Sequence, residues 1–350
     1  MSTLASKAVR DQIPLLAERV VENMYRRQNA QWDSYGAPGR QKSVRDVGYH
    51  LSYLAEALNA DDPALYNEYL AWVKVLFAGL NFSESVLPNT LSEIRLVLNA
   101  ALPSEVRPEV LAMLDGGEQG LASVNTVLPS FLEGDDSLDQ LARDFLDALL
   151  AGNRRQASEM ILAAVNGGVG VKDIYARVFE RTQREVGRLW QTNRISVAQE
   201  HFCTAATQMV MSQLYPYIFT GERKERRMVM ACVGGELHEI GARMVADFFE
   251  MEGWDTYFLG ANTPPEGVLR AVEERQADLL TVSVTMTFHL SHVSALIERL
   301  RKQADVKRTR VLVGGYPFNL SPDLWQKVGA DGYAVDARGA LGEAERVLRG

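Results

Sequence analysis

Met228–Gly241 reads MVMACVGGELHEIG, a short apolar run that ends on two glycines and opens into a helical pattern. Such a run, closed by glycines, is the pattern of a buried strand leaving its sheet through a tight turn. The alternation continues to the C-terminus. Strands are predicted over Met228–Val233, Asp255–Leu259, Asp278–Thr285, Arg310–Val313 and Gly332–Val335. Helices are predicted over Ile240–Glu252, Pro265–Arg275, His289–Gln303, Pro322–Val328 and from Leu341 onward. Strands and helices in strict alternation imply an open, doubly wound parallel sheet of Rossmann-like, flavodoxin-like type. Ligands in such sheets sit beyond the carboxyl ends of the strands, where the strand order reverses. The loops after the first, third and fourth strands are therefore the candidate site.

The first of these loops, Gly234 to Gly241, lacks the Gly-x-Gly-x-x-Gly spacing of a dinucleotide-binding turn. It carries a histidine with a carboxylate two residues before it. A neutral imidazole is a good transition-metal ligand, and a carboxylate on its other nitrogen fixes tautomer and orientation. Gly241 would let a bulky cofactor pass close to the backbone. Glu236-x-His238-x-x-Gly241, then Ser283-x-Thr285 at the end of the third strand, then Gly314-Gly315 after the fourth, resembles the cobalamin-binding Rossmann-like domain. The resemblance implies that His238 is the lower axial ligand to cobalt, and that the serine and the glycines line the channel of the cofactor's nucleotide tail. The common form of the motif begins with Asp, where this chain has Glu236.

Upstream, residues 137–222 read as a helical bundle of four helices, punctuated at Gly152-Asn153, Gly167-Gly168 with Gly170, and Asn193-Arg194. Ser137 and Gln140 are read as a capping box opening the first of them. Nine residues separate Trp190 from Glu200-His201. This Trp-x9-Glu-His pattern resembles light-sensing cobalamin proteins related to the repressors of carotenoid synthesis. The resemblance implies that Trp190, Glu200 and His201 cap the upper face of adenosylcobalamin. In those repressors a histidine directly after the tryptophan can bind cobalt once the adenosyl group is gone; here Gln191 stands there. His289 and His292 are read as edge-of-site or surface residues.

Residues 1–132 read as all-helical, with apolar periodicity over Val44–Leu58, Leu65–Leu80 and Leu91–Leu102 and breaks at Gly36 to Gly39, Pro63, Pro88, Pro103 and Gly116-Gly117. An all-helical domain ahead of the bundle and the sheet resembles the photocobilins, which implies a globin-like domain that binds biliverdin. His50 and Tyr53, with Tyr66 and Trp72, would supply a slot and polar contacts. Arg40 and Arg45, with Lys42, would bind the propionates. With no cysteine before Cys203, attachment would be noncovalent.

The 350 residues carry a net charge of −8 and only two cysteines, Cys203 and Cys232. The acidic balance argues against direct nucleic-acid binding. The cysteines read as buried free thiols. No apolar run is long enough to span a membrane, and the N-terminus has no signal-peptide pattern, so a cytoplasmic protein is expected. Three domains follow: 1–132, 137–222 and 226–350. The function expected from these resemblances is that of a light sensor, not an enzyme. It would work as a homo-oligomer, dimer or tetramer, with an output partner that the sequence does not name. The rival is a corrinoid carrier protein of a methyltransferase system. A cobalamin-dependent mutase has no room for its barrel of roughly 250 residues.

Overall fold

The five C-terminal strands form one parallel sheet in the order β2-β1-β3-β4-β5. They are β1 Arg227–Cys232, β2 Asp255–Phe258, β3 Leu279–Ser283, β4 Arg310–Gly314 and β5 Gly332–Ala334. Each agrees with its predicted span to within two residues at either end, because a strand covered on both faces reads as a continuous apolar run. Residues 228–232 of β1 are all buried. The order reverses between β1 and β3, and their register pairs Cys232 with Ser283; β3 and β4 pair Ser283 with Gly314. Three adjacent strand ends thus deliver the three motif segments to one edge of the sheet.

The computed structural model describes residues 3–27, 36–219, 222–304, 306 and 308–349. The chain packs into two units. One comprises Met1–Thr126, Met286–Ala295 and Tyr316–Gly329; the other comprises Val127–Thr285, Leu296–Gly315 and Ala330–Gly350. The bundle and the sheet therefore share a unit. Among the described residues, no helix is long and apolar enough to cross a membrane.

The first unit is built on the helices Leu4–Arg10, Ile13–Arg27, Gly36–Ala60, Pro63–Gly79, Val86–Ala101 and Arg107–Gly120. One expected break is absent, and two others fall at the start of the helix that follows. Pro38 and Pro88 lie in the first turns of their helices, where a missing N–H costs nothing. Gly116-Gly117 lies inside Arg107–Gly120, and a Cβ on Gly117 would come within 2.7 Å of Leu70 and 2.9 Å of Tyr66. That glycine sets a close helix contact rather than a turn. Segments 286–295 and 316–329 complete the unit: Phe288 lies 5.3 Å from the Tyr53 ring, and Lys327 Nζ donates to the Ala60 carbonyl at 2.6 Å. His289, expected at the surface or the site edge, is buried, with its ring parallel to that of His292 at 5.6 Å.

His50 is buried in this unit and shares a 2.9 Å hydrogen bond with the Tyr69 hydroxyl; burial pushes its pKa down to about 4. The unfolded chain then binds the extra proton first, so stability is intact above the unfolded value near 6.5 and falls as pH drops toward 4. The loss expected from this residue is about 3 kcal/mol. Urea titrations of the wild type and His50→Gln at pH 7 and pH 4.5 check it: the variant should lose less between the two. Equal losses would remove His50 from the acid response.

In the second unit, the bundle helices are Ser137–Leu150, Arg154–Asn166, a continuous stretch from Val171 to Gln191, and Val197–Gln213. The first is capped one residue earlier than expected. Asp136 is extended, and its carboxylate accepts from the Leu138 and Asp139 N–H groups at 2.9 Å, while Asp139 reaches back to the Asp136 N–H at 3.1 Å. This reciprocal pair displaces the Ser137–Gln140 box. Ile174–Phe179 is a π-helical turn, a wide turn common at functional sites. Its side chains Ile174, Tyr175, Val178 and Phe179 fill the bundle core.

Candidate functional site

Beyond Cys232 the chain turns through Gly235, whose φ of +87° suits glycine. The Gly235 N–H donates to Asn262 Oδ1 at 2.7 Å, and the Asn262 N–H donates to the Glu236 carbonyl at 2.8 Å. Asn262 itself holds φ +50°, a conformation asparagine tolerates better than most residues. The loop after β2 thus pins the turn after β1. Motif spacing gave no hint of Asn262.

Glu236 is fully buried, and its carboxylate is saturated with donors. Oε1 takes the His238 N–H at 3.0 Å and His238 Nδ1 at 2.5 Å; Oε2 takes the Thr285 N–H at 2.8 Å. A buried carboxylate is tolerable only with such partners. One side chain therefore ties the β1 loop to the end of β3, a span that the glutamate's extra methylene serves. The carboxylate sets the proton on Nδ1, which leaves Nε2 as the nitrogen able to meet a metal. The His238 side chain is 57% exposed. Hydrogen bonding to Glu236 raises its pKa against the opposing pull of burial, with further help from the charges of Glu236 and Glu200.

Among the described residues, no cluster of three or more His, Cys, Asp or Glu could hold a bare ion. A single oriented imidazole suits a metal whose other positions are filled by a macrocycle. A Cβ at the exposed Gly241 would meet nothing within 4 Å, so the first turn of the helix is open on that side. Gly315 has φ +108°, and a Cβ there would fall 1.9 Å from the Val284 carbonyl oxygen. The β4 turn therefore passes against the backbone of β3 directly beside Thr285.

On the bundle side, Glu200 accepts from the Thr204 hydroxyl at 3.0 Å and pairs with His201 Nδ1 at 2.5 Å. Its charge reaches His238. The His201 side chain is 75% exposed. Trp190 is half-buried against the bundle core, and Gln191 is buried. Both thiols are free and buried, as expected; burial pushes Cys203 up to about 11 and Cys232 up to about 12.

The bilin residues do not form a slot. Tyr53 stacks on Tyr69 at 3.7 Å between ring centres, so the space a flat tetrapyrrole would need beside it is filled. His50 is occupied with Tyr69, and Arg40 and Arg45 are exposed. Aromatic and histidine residues at helical spacing here serve the core.

A flavodoxin-like sheet that presents one carboxylate-oriented imidazole at its switch point, with a helical bundle packed in the same unit, defines a corrinoid-binding module. Residues 226–342 match the B12 binding domain, and residues 141–215 match a second family model, also described as a B12 binding domain. Both support cobalamin binding. Dimethylamine corrinoid protein 3 of Methanosarcina acetivorans is 24% identical over 213 residues, 60% of this chain and 98% of its own length. The dimethylamine corrinoid protein of Methanosarcina barkeri is 25% identical over 221 residues, 61% and 99% of the two chains. In fold, the chain is similar to the monomethylamine corrinoid protein of Methanosarcina barkeri, with a TM-score of 0.52 at 23% identity over 61% of this chain and 99% of that one.

These relatives overturn the light-sensor expectation. They are dimethylamine corrinoid proteins by name, and they match over nearly their whole length. The bundle and cobalamin motifs mark a module, not a photochemical output. The matched part of the chain, residues 141–215 and 226–342, carries two matches to B12 binding domains.

Proposed function

We propose that this chain is a corrinoid carrier that holds a methyl group for transfer between partner methyltransferases. The observation that carries the reading is the Glu236 bridge, which orients His238 and joins it to Thr285, in a chain whose relatives are dimethylamine corrinoid proteins. When bound, the corrinoid supplies a cobalt centre that takes up and gives up a methyl group. His238 would offer Nε2 to the cobalt, and Glu236 holds the Nδ1 proton and prevents the ring from turning. Gly241, Ser283 and Gly314 would line the path of the nucleotide tail, and Gly315 lets the β4 turn close on Val284 beside it. Trp190, Glu200 and His201, on the bundle, would face the other side of the cofactor. Adenosylcobalamin becomes the comparison ligand. The carrier reading asks nothing globin-like of the N-terminal helices.

The test is binding in darkness to methylcobalamin and adenosylcobalamin, followed by absorption spectra. A carrier should bind methylcobalamin at least as tightly and show the histidine-ligated form. Rejection of methylcobalamin with tight binding of the adenosyl form would sink the reading.

A further inference from the structure

The helix Ile240–Met251 begins two residues after His238, and a polar stripe runs along it at intervals of four: Glu239, Arg243 and Asp247. Residues at this spacing lie on one helix face. All three reach the bundle. Glu239 Oε1 accepts from Gln208 Nε2 at 2.8 Å. Arg243 donates to the Gln208 carbonyl at 3.2 Å, Ser212 Oγ at 2.8 Å and the Tyr215 hydroxyl at 3.2 Å. The Tyr175 hydroxyl, from the π turn, donates to Asp247 at 2.7 Å. Met244 and Phe248 of the same helix are buried in the bundle core. Glu239 has a second arm, since its Oε2 accepts from the Ala261 N–H at 2.8 Å, in the loop after β2. Gln208 and Glu200 share the helix Val197–Gln213.

Building on the carrier reading, we propose that Glu239 is a positioning residue: it fixes the helix carrying Glu200 and His201 to the loop carrying His238. The residue next to the lower ligand thereby orders the groups on the opposite face of the cofactor. Arg243 and Asp247 extend the tie along the helix, and the Ala261 contact keeps the Glu239 carboxylate aimed when the bundle arm is broken.

The test uses the full chain with Gln208→Leu, which removes only the bundle arm, and with Glu239→Ala. Amide hydrogen exchange is read across residues 197–213 without cofactor. Replacement of the upper ligand by azide is read on the hydroxocobalamin-loaded chain. Both variants should speed exchange across the helix and azide entry by about tenfold, the order expected for one charge-assisted hydrogen bond. The double variant should add little to either single change. Gln208→Leu should keep the histidine-ligated spectrum, which a general loosening of the fold would not. Wild-type rates in both single variants would overturn the proposal. If the wild type binds no hydroxocobalamin, the carrier reading fails instead, and hydrogen exchange alone still decides the role of Glu239.

Discussion

His238→Ala is expected to abolish the histidine-ligated spectrum of bound cobalamin and to weaken binding by at least the 10- to 100-fold typical of a lost ligand partner. Absorption spectroscopy with equilibrium titration of hydroxocobalamin checks both effects, and an unaltered spectrum would remove His238 from the cobalt site. The same residue sets a pH dependence. Glu236 raises the imidazole pKa above its usual 6.5, and a protonated imidazole cannot ligate, so ligation releases a proton. Affinity should therefore climb about tenfold per pH unit up to that raised value and level off above it. The stability of the cofactor-free chain runs the other way. A raised histidine pKa contributes stability that is complete below 6.5 and is lost as pH rises through the folded-state value. Glu236→Gln should move the affinity rise to lower pH and lower the plateau, because it relieves the charge on the ring and breaks the tautomer lock. A rise that stays in place would mean that Glu236 does not govern the titration.

The sheet and its motif residues were legible because their signals are local. A buried parallel strand is an apolar run, and the Glu-x-His pair lies within a single loop. What the sequence hid depends on partners distant in the chain. Glu239 meets Gln208, 31 residues away, and Asn262 meets Gly235, 27 residues away. No spacing rule announces either. The π turn at Ile174–Phe179 is equally silent, since its residues keep an ordinary helical composition. Gly116-Gly117 read as a break because a glycine pair marks turns more often than helix crossings, and the approach of Tyr66 became visible only with the fold. The bilin reading failed for a related reason: His50 and Tyr53 lie on a periodic face, and periodicity cannot distinguish a slot from a packed core. The bundle that carries Trp190 and Glu200-His201 matches a B12 binding domain, but the output assigned to it came from the resemblance and not from the chemistry of those residues.

Gly315→Ala should be among the most damaging single-methyl changes in the cobalamin domain. The residue holds φ +108°, and its new Cβ would sit 1.9 Å from the Val284 carbonyl oxygen, which is backbone and cannot swing aside as a side chain can. Strain at such a φ costs about 1–3 kcal/mol, and overpacking against a fixed neighbour adds about as much again. A loss of about 4 kcal/mol is expected. Gly314→Ala is the control one residue away. Its Cβ would meet only the Ala334 carbonyl oxygen at 3.3 Å, and its φ is not positive. It should cost about 1 kcal/mol. Urea unfolding followed by far-UV circular dichroism separates the two, with each transition fitted by itself because a chain of two units need not unfold in one step. The consequence reaches the cofactor site through Val284, which lies between Ser283 and Thr285 and donates its own N–H to the Gly314 carbonyl at 3.1 Å. Relief of the clash must move this strand end, and with it the Thr285 N–H that holds Glu236. Gly315→Ala should therefore weaken cobalamin binding even at urea-free equilibrium, where the chain remains folded. Binding equal to wild type, in a variant that has lost the expected stability, would show that the strand end relaxes without disturbing the Glu236 bridge.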